Sequence, residues 1–280
     1  MSGLVMTAVL FAALLHASWN AIVKSGTDKF LDTIFVACGA ALVSVVALVF
    51  VAPPAPESWS YIGISAGIHL VSFALLAAAY RTGDLSYAYP IMRGTAPLLT
   101  ALVAGYFVAE RMSPGGWSGV IFISAGILLL AANQWRSGHF HLAPTLFALA
   151  NAAVICVYTV VDGVGTRLSG SSFGYVSTML VIDGVILTVF VSLRYRERAA
   201  VQLKARWQLV LGGGVCTWAS YAIALWAMTR APVAMVAALR ETSVIFAAII
   251  AAAILKEKFS NVRYAAALLV CAGAVLLKVY

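Results

Sequence analysis

Apolar runs of about 20 residues recur along the whole chain and are separated by short polar connections. A run of this length crosses the hydrocarbon core of a bilayer as an α-helix. Almost no sequence remains outside these runs, so we expect an all-α integral membrane protein without a soluble domain. The pattern predicts ten transmembrane helices, near residues 3–23, 31–52, 59–80, 86–108, 115–134, 143–162, 173–193, 207–228, 232–255 and 261–279.

The composition agrees with a chain embedded in lipid. Of its 280 residues, 63% are hydrophobic and only 10% are charged, whereas soluble domains carry about a quarter charged residues. The net charge of +8 lies mainly in the short connections, which indicates membrane orientation rather than nucleic-acid binding. The four cysteines lie inside apolar runs without metal-ligand spacing, so no metal or other cofactor is expected.

Two stretches of the chain match each other at an offset of 147 positions, which indicates a duplicated half. The halves would be residues 1–135 and 142–280, with five helices each. Because five is an odd number, the second repeat would cross the membrane inverted, as in many secondary transporters whose substrate sites lie near the midplane. The matched pairs are Arg93 and Arg240, Thr95 and Thr242, Glu110 and Glu257, Ser113 and Ser260, and Gly126 and Gly273.

Lysine and arginine are unevenly distributed between the two sides of the predicted bundle. The side of the N-terminus carries only Arg111, Arg167, Arg230 and Lys278. The opposite side carries Lys24, Lys29, Arg81, Arg136, Arg194, Arg196, Arg198, Lys204, Arg206, Lys256, Lys258 and Arg263. The positive-inside rule makes this second side cytoplasmic. We therefore expect a multi-pass protein of the cell (inner) membrane with both termini facing outward.

Charged residues inside the predicted spans are the first candidates for function, because they usually face the bundle interior. Arg93 and Arg240 either contact an anionic substrate group, such as a carboxylate or phosphate, or belong to fixed ion pairs. Asp183 and Glu241 either couple protons to transport or pair with an arginine. Glu110 and Glu257 lie where spans reach water and are predicted to cap or tether helices.

Helical spacing adds polar and aromatic candidates for substrate binding. Rings with hydroxyl or indole donors suit a small amphiphilic metabolite, including one with a cationic amine. For any single residue, helix packing or anchoring at the membrane interface is the alternative. The candidates are Trp19 and Asn20 beside His16 in the first span, His69 and Tyr80 in the third, Tyr89 in the fourth, Tyr158 on a stripe with Asn151 and Asp162 in the sixth, and Trp218 and Tyr221 in the eighth.

Several of these features together resemble a known family. They are the ten spans in two halves, the Trp19-Asn20…Lys24 end of the first span, and the two closures Glu110-Arg-x-Ser113 and Glu257-Lys-x-Ser260. In these features the chain resembles the EamA-type transporters of the drug/metabolite transporter superfamily, over essentially its whole length. The resemblance implies an alternating-access carrier of amino acids or other small metabolites, often proton-driven, with a central cavity lined by spans 1, 3, 4, 6, 8 and 9.

The predicted function is secondary active transport of a small anionic or zwitterionic metabolite, as an exporter with proton coupling, by a monomer or homodimer. An uptake carrier for an amine-bearing nutrient is one alternative, and it predicts that Arg93 can be neutralised with little loss. A membrane-embedded enzyme acting on lipid-linked substrates is the other. It would need a nucleophile–base or metal constellation, and the histidines His16, His69, His139 and His141 have no such spacing. We therefore expect no enzyme.

Overall fold

The computed structural model describes residues 1–26, 28–82, 85–136, 141–255 and 260–279, without the side chains at positions 77, 80–82, 85, 86, 134–136 and 251–255. These ranges contain eleven α-helices, one short 3-10 turn and no strand. The helices are α1 (Gly3–Lys24), α2 (Lys29–Ala47), α3 (Trp59–Thr82), α4 (Leu85–Phe107), α5 (Pro114–Arg136), α6 (Leu142–Leu168), α7 (Ser172–Arg194), α8 (Arg196–Met228), α9 (Val233–Arg240), α10 (Ser243–Leu255) and α11 (Asn261–Val279).

These helices confirm the all-α membrane architecture. Nine segments within the described ranges are long and apolar enough to cross a bilayer, with α9 and most of α10 forming one of them. Helix α4 is not among the nine, since Pro90, Arg93 and Pro97 lie within its 23 residues. Large apolar side chains such as Leu102 and Leu211 remain exposed on the outside of the bundle, where lipid would cover them.

Two predicted spans differ from the observed helices in an informative way. Helix α8 begins at Arg196 rather than near residue 207 and bends at Arg206, whose φ is −135° and ψ 33°. Its first turns are charged but rich in strong helix formers, so they continue the helix beyond the apolar run. The ninth span is broken between α9 and α10 at Glu241 and Thr242. There, backbone N–H groups bond to carbonyls three residues back, which tightens the chain into a 3-10 turn.

The packing brings helices from the two predicted halves together in pairs. Helix α1 packs on α8, α9 and α10, and α6 packs on α3 and α4. At the centre, α4 crosses α9, while α2 packs on α7 and α8, and α5 on α11. The middle of the bundle is therefore made from α1, α3, α4, α6, α8 and α9.

Ionic contacts tie the helix ends together on each side of the bundle. On the N-terminal side, Glu110 lies 2.5 Å from Arg167 and accepts the backbone N–H of Val233, the first residue of α9, at 2.8 Å. On the opposite side, the buried carboxylate of Asp32 lies 2.6 Å from Arg206. The structural role predicted for Glu110 is confirmed, although the helix it caps is α9 rather than α5. Glu257 lies outside the described residues.

Close approach of α2 and α8 depends on Gly39. A Cβ atom added at Gly39 would lie only 1.9 Å from the carbonyl oxygen of Val210, whereas one added at Gly63 on α3 would meet nothing within 4 Å. We expect Gly39→Ala to cost about 2–3 kcal/mol of stability, because the two backbones must separate. The matched Gly63→Ala is expected to be neutral or stabilising by less than about 1 kcal/mol. Thermal unfolding of the purified proteins measures both, and equal melting temperatures would contradict the expectation.

Candidate functional site

A cluster of charged side chains lies where α4 crosses the break between α9 and α10. Arg93 Nε is 2.7 Å from Glu241 Oε2, and both side chains are about nine-tenths buried. The guanidinium also approaches His16 Nε2 on α1 at 3.2 Å and Ser243 Oγ at 3.5 Å. Because a guanidinium can only donate, His16 accepts through Nε2 and carries its proton on Nδ1. We call His16, Arg93, Arg240, Glu241 and Ser243 the arginine cluster.

The two matched arginines have different environments. Arg93 is held in an ion pair with Glu241, which was one of the two alternatives for this residue. Arg240 is only partly buried, and no carboxylate in the described part of the chain lies within ion-pair distance of it. Its guanidinium instead lies 5.1 Å from the centroid of the Tyr221 ring on α8. Of the two cations, Arg240 is therefore the one available to an anionic ligand.

A small cavity opens beside these arginines, between α4, α6 and α9. Its volume of about 10 Å³ has room for roughly one water molecule, so a metabolite would need the helices to move apart. The wall of the cavity is polar on the α9 side. On the α6 side it is partly polar and partly apolar, and Tyr158 and Thr159 face the cavity there. The cavity is lined by Arg93, Ala96, Pro97, Thr100, Ile155, Tyr158, Thr159, Ala237, Arg240 and Glu241.

A second polar cluster surrounds His69 on α3. Its Nδ1 lies 2.9 Å from Asp183 Oδ2 on α7, and its Nε2 lies 3.8 Å from Asp162 Oδ2 on α6. Asp162 is completely buried and accepts hydrogen bonds from two phenols, Tyr175 at 2.9 Å and Tyr221. We call these five residues the acidic cluster. It contains three of the predicted site residues, His69, Asp183 and Tyr221.

Tyrosines connect the two clusters. The ring of Tyr158 stands edge-on to His69 with centroids 4.5 Å apart, and the same residue lines the cavity beside Arg240. Tyr221 donates to Asp162 through its hydroxyl, while its ring lies against Arg240. Tyr89 lies near Arg93, whose guanidinium carbon is 5.8 Å from the ring centroid. The predicted roles of these tyrosines in substrate binding remain predictions.

The other predicted site residues lie further from the cavity or are occupied by helix contacts. Asn20 donates to the His16 carbonyl within α1 at 2.8 Å, and Trp218 donates to Ser177 Oγ on α7 at 2.9 Å. Trp19 stands edge-on to His16 at 5.2 Å, and its buried indole N–H has no acceptor among the described residues. The side chain of Tyr80 lies outside the described residues. Asn20 and Trp218 thus contribute to packing in this structure.

Asp162, Tyr175 and Ser243 in these clusters are not among the residues selected from the sequence, and His16 enters the prediction only as a neighbour of Trp19 and Asn20. The sequence places Asp162 only on a stripe with Tyr158, although an acid four residues from an aromatic candidate inside an apolar run is a usable signal. Ser243 reaches Arg93 only because the chain breaks between α9 and α10, and nothing in the sequence predicted that break.

Comparison with known proteins agrees with this architecture. Residues 143–279 match the model of the EamA-like transporter family. A stretch of 73 residues is 30% identical to multidrug transporter PA4990 of Pseudomonas aeruginosa, and it amounts to 26% of this chain and 66% of that protein, slightly under two thirds. A protein crystal structure superposes with a TM-score of 0.71 at 19% identity, covering 99% of this chain and 96% of the other, which shows a shared fold. The chain is thus a multi-pass membrane protein whose second half matches an EamA-like transporter domain, as in the EamA-type transporters of the drug/metabolite transporter superfamily that it resembles.

Proposed function

We propose that this transporter exports a small anionic or zwitterionic metabolite by alternating access, in exchange for protons. Arg240 carries the proposal: it is a cation inside the membrane, it borders the central cavity, and it has no carboxylate partner among the described residues. A charge inside the membrane is costly and usually marks a substrate pathway or a partner. A substrate carboxylate or phosphate would supply the missing anion through charge-assisted hydrogen bonds.

The acidic cluster favours a zwitterionic substrate over a purely anionic one. One of its two carboxylates, Asp162, is separated from Arg240 by a single tyrosine, since Tyr221 donates to Asp162 and its ring lies against Arg240. The other, Asp183, lies on the far side of His69. A substrate carrying a carboxylate and an ammonium group would then meet a positive and a negative site at once. Competition between the ammonium group and protons in the acidic cluster would couple export of the substrate to the inward flow of protons.

Alternating access by two inverted halves, residues 1–135 and 142–280, remains part of the proposal. The reciprocal packing supports it: α1 lies against α8, α9 and α10, as α6 lies against α3 and α4. The tethers of Glu110 to Arg167 and of Asp32 to Arg206 lie at opposite ends of the bundle. Each would open in turn as the cavity becomes accessible from one side. The lysine and arginine bias supports outward-facing termini.

The proposal is tested by thermal unfolding of the purified protein with a panel of amino acids, organic phosphates, phosphonates and polyamines. A ligand at 100 times its Kd stabilises the native state by about 2.7 kcal/mol, which corresponds to a rise of several degrees in melting temperature. We expect amino acids or another anionic class to stabilise the wild type but not Arg240→Ala.

Arg230 provides the matched control for this experiment. It is exposed at the end of α8 and lies over Trp226, with 4.4 Å between guanidinium carbon and ring centroid, away from the central cavity. Arg230→Ala should keep every ligand response. If Arg240→Ala also keeps it, Arg240 is not a substrate contact and the proposal fails.

Transport of an amine-bearing compound is the second candidate function. The paired carboxylates Asp162 and Asp183 beside the rings of Tyr158 and Tyr221 favour it, since such groups recognise cationic amines. The relative in Pseudomonas aeruginosa is a multidrug transporter. In the same panel, this function predicts stabilisation by polyamines that survives Arg240→Ala and is lost in Asp183→Asn.

A further inference from the structure

We propose that His69, Asp162 and Asp183 form a proton-binding site, in which His69 and Asp183 share an exchangeable proton. The site would bind the protons that are exchanged for substrate in the proposed export, and this role rests on the proposed function. The binding of the proton itself does not depend on the substrate.

The first support for this site is the position of His69. The imidazole lies between two carboxylates that come from different helices, Asp183 at 2.9 Å from Nδ1 and Asp162 at 3.8 Å from Nε2. Both carboxylates are almost fully buried. An imidazole bridging two acids can move a proton between them by small shifts of its ring, because each ring nitrogen faces one acid.

The two acids differ in their hydrogen bonds, and this assigns their roles. Both oxygens of Asp162 accept from phenols, Oδ1 from Tyr175 and Oδ2 from Tyr221. Donors on both oxygens favour the ionised form of a carboxyl group. Asp183 bonds to His69 through Oδ2, while its buried Oδ1 has no partner among the described residues. A buried carboxylate oxygen without a donor is costly, so Asp183 depends on the hydrogen bond that it shares with His69 Nδ1.

The charge balance around His69 favours proton uptake as well. The charged groups facing it are Asp162 on α6, Asp183 on α7 and Arg240 on α9, and the facing titratable rings are those of Tyr158, Tyr175 and Tyr221. With His69 neutral and both acids ionised, these three residues and Arg240 together carry one net negative charge. One proton shared by His69 and Asp183 makes the group neutral, which the low dielectric of the membrane interior favours.

Tyr221 connects this site to the substrate side of the cavity. Its hydroxyl donates to Asp162, and its ring lies 5.1 Å from the guanidinium carbon of Arg240. A ligand that binds Arg240 therefore changes the surroundings of the acidic cluster through a single side chain. Glu241, the other predicted proton-coupling residue, is paired with Arg93 instead.

Infrared difference spectra between two pH values test the site in the intact protein, reconstituted in lipid without any substrate. Surface carboxyl groups titrate near pH 4, so the spectra are recorded above about pH 5.5. We expect one protonated-carboxyl band to titrate in the wild type, to be lost in Asp183→Asn, and to remain in Glu241→Gln. Removal of the imidazole in His69→Gln should move its midpoint.

Isotope labelling gives the same answer without any substitution, should Asp183→Asn fail to fold. The titrating band should shift when aspartate carries ¹³C in its side-chain carboxyl group and stay in place when glutamate does. A shift with labelled glutamate, or the absence of any titrating carboxyl band, overturns the proton site. A titrating aspartate band combined with no ligand response in the thermal panel would leave the proton site standing and reject the proposed function alone.

Discussion

Replacing Arg93 by alanine is expected to lower the stability of the protein by about 3–5 kcal/mol, the cost of breaking a buried ion pair. The carboxylate of Glu241 would stay buried without the guanidinium that lies 2.7 Å from it. For a chain of this size the melting temperature should fall by on the order of 10 °C. Arg198→Ala is the control, because Arg198 is exposed and 3.7 Å from Asp28, and surface pairs of this kind contribute about 1 kcal/mol or less.

A double-mutant cycle separates the ion pair from a general packing defect. Glu241→Gln alone should also destabilise, since it leaves Arg93 without its counter-ion. The combined Arg93→Met and Glu241→Gln variant should recover much of the loss, because neither charge then remains unpaired. Thermal unfolding of the wild type, Arg93→Met, Glu241→Gln and the combined variant gives the coupling energy. Additive effects of the two substitutions would show that the pair is not coupled, and Arg93 would again be a candidate for direct substrate contact.

The affinity for a stabilising ligand is expected to rise with pH, by up to about tenfold per pH unit while the acidic cluster of the free protein is protonated. The sign follows from competition: if a substrate ammonium group displaces a proton, ligand binding releases that proton and is weakened by acid. Isothermal titration of the purified protein at several pH values, in buffers of different ionisation enthalpy, measures both the affinity and the number of protons released.

The opposite pH dependence would contradict export by proton exchange. A pure anion that neutralises Arg240 removes a positive charge near His69 and would favour protonation there, so ligand and proton would bind together. Proton symport drives uptake rather than export. Asp183→Asn should abolish the pH dependence in either case, while Asp28→Asn, which changes a partly exposed acid at the N-terminus of α2, should leave it unchanged.

The positions of the membrane helices were predictable from local sequence, and the exceptions have identifiable causes. Prolines 53 and 54 correctly suggested that α2 ends before them, but the helix ends at Ala47, a turn earlier than predicted. The start of α8 was missed because its charged first turns are outside the apolar run, yet they favour helix. The break at Glu241 was missed because it contains neither proline nor glycine. Inverted repeats remain a prediction.

The candidate site was only half predictable. Sequence reasoning selected Arg93, Arg240, His69, Asp183 and Glu241, because charged and polar residues are rare inside apolar runs and are therefore conspicuous. It left open which of them pair. In the structure Arg93 has a carboxylate partner, whereas Arg240 faces the cavity without one in the described part of the chain.

Local sequence is enough to establish that this protein lies in a membrane, roughly where each span begins and ends, and which residues are too polar to face lipid. These properties depend on about 20 neighbouring residues at a time. The packing of the helices was needed to show that Glu241 neutralises Arg93, that Asp183 and Asp162 flank His69, and that Tyr221 connects Asp162 with Arg240. Such contacts depend on how each helix is rotated and where helices cross. In a bilayer the lipid-facing and the buried faces are both apolar, so the hydrophobic pattern carries little information about rotation.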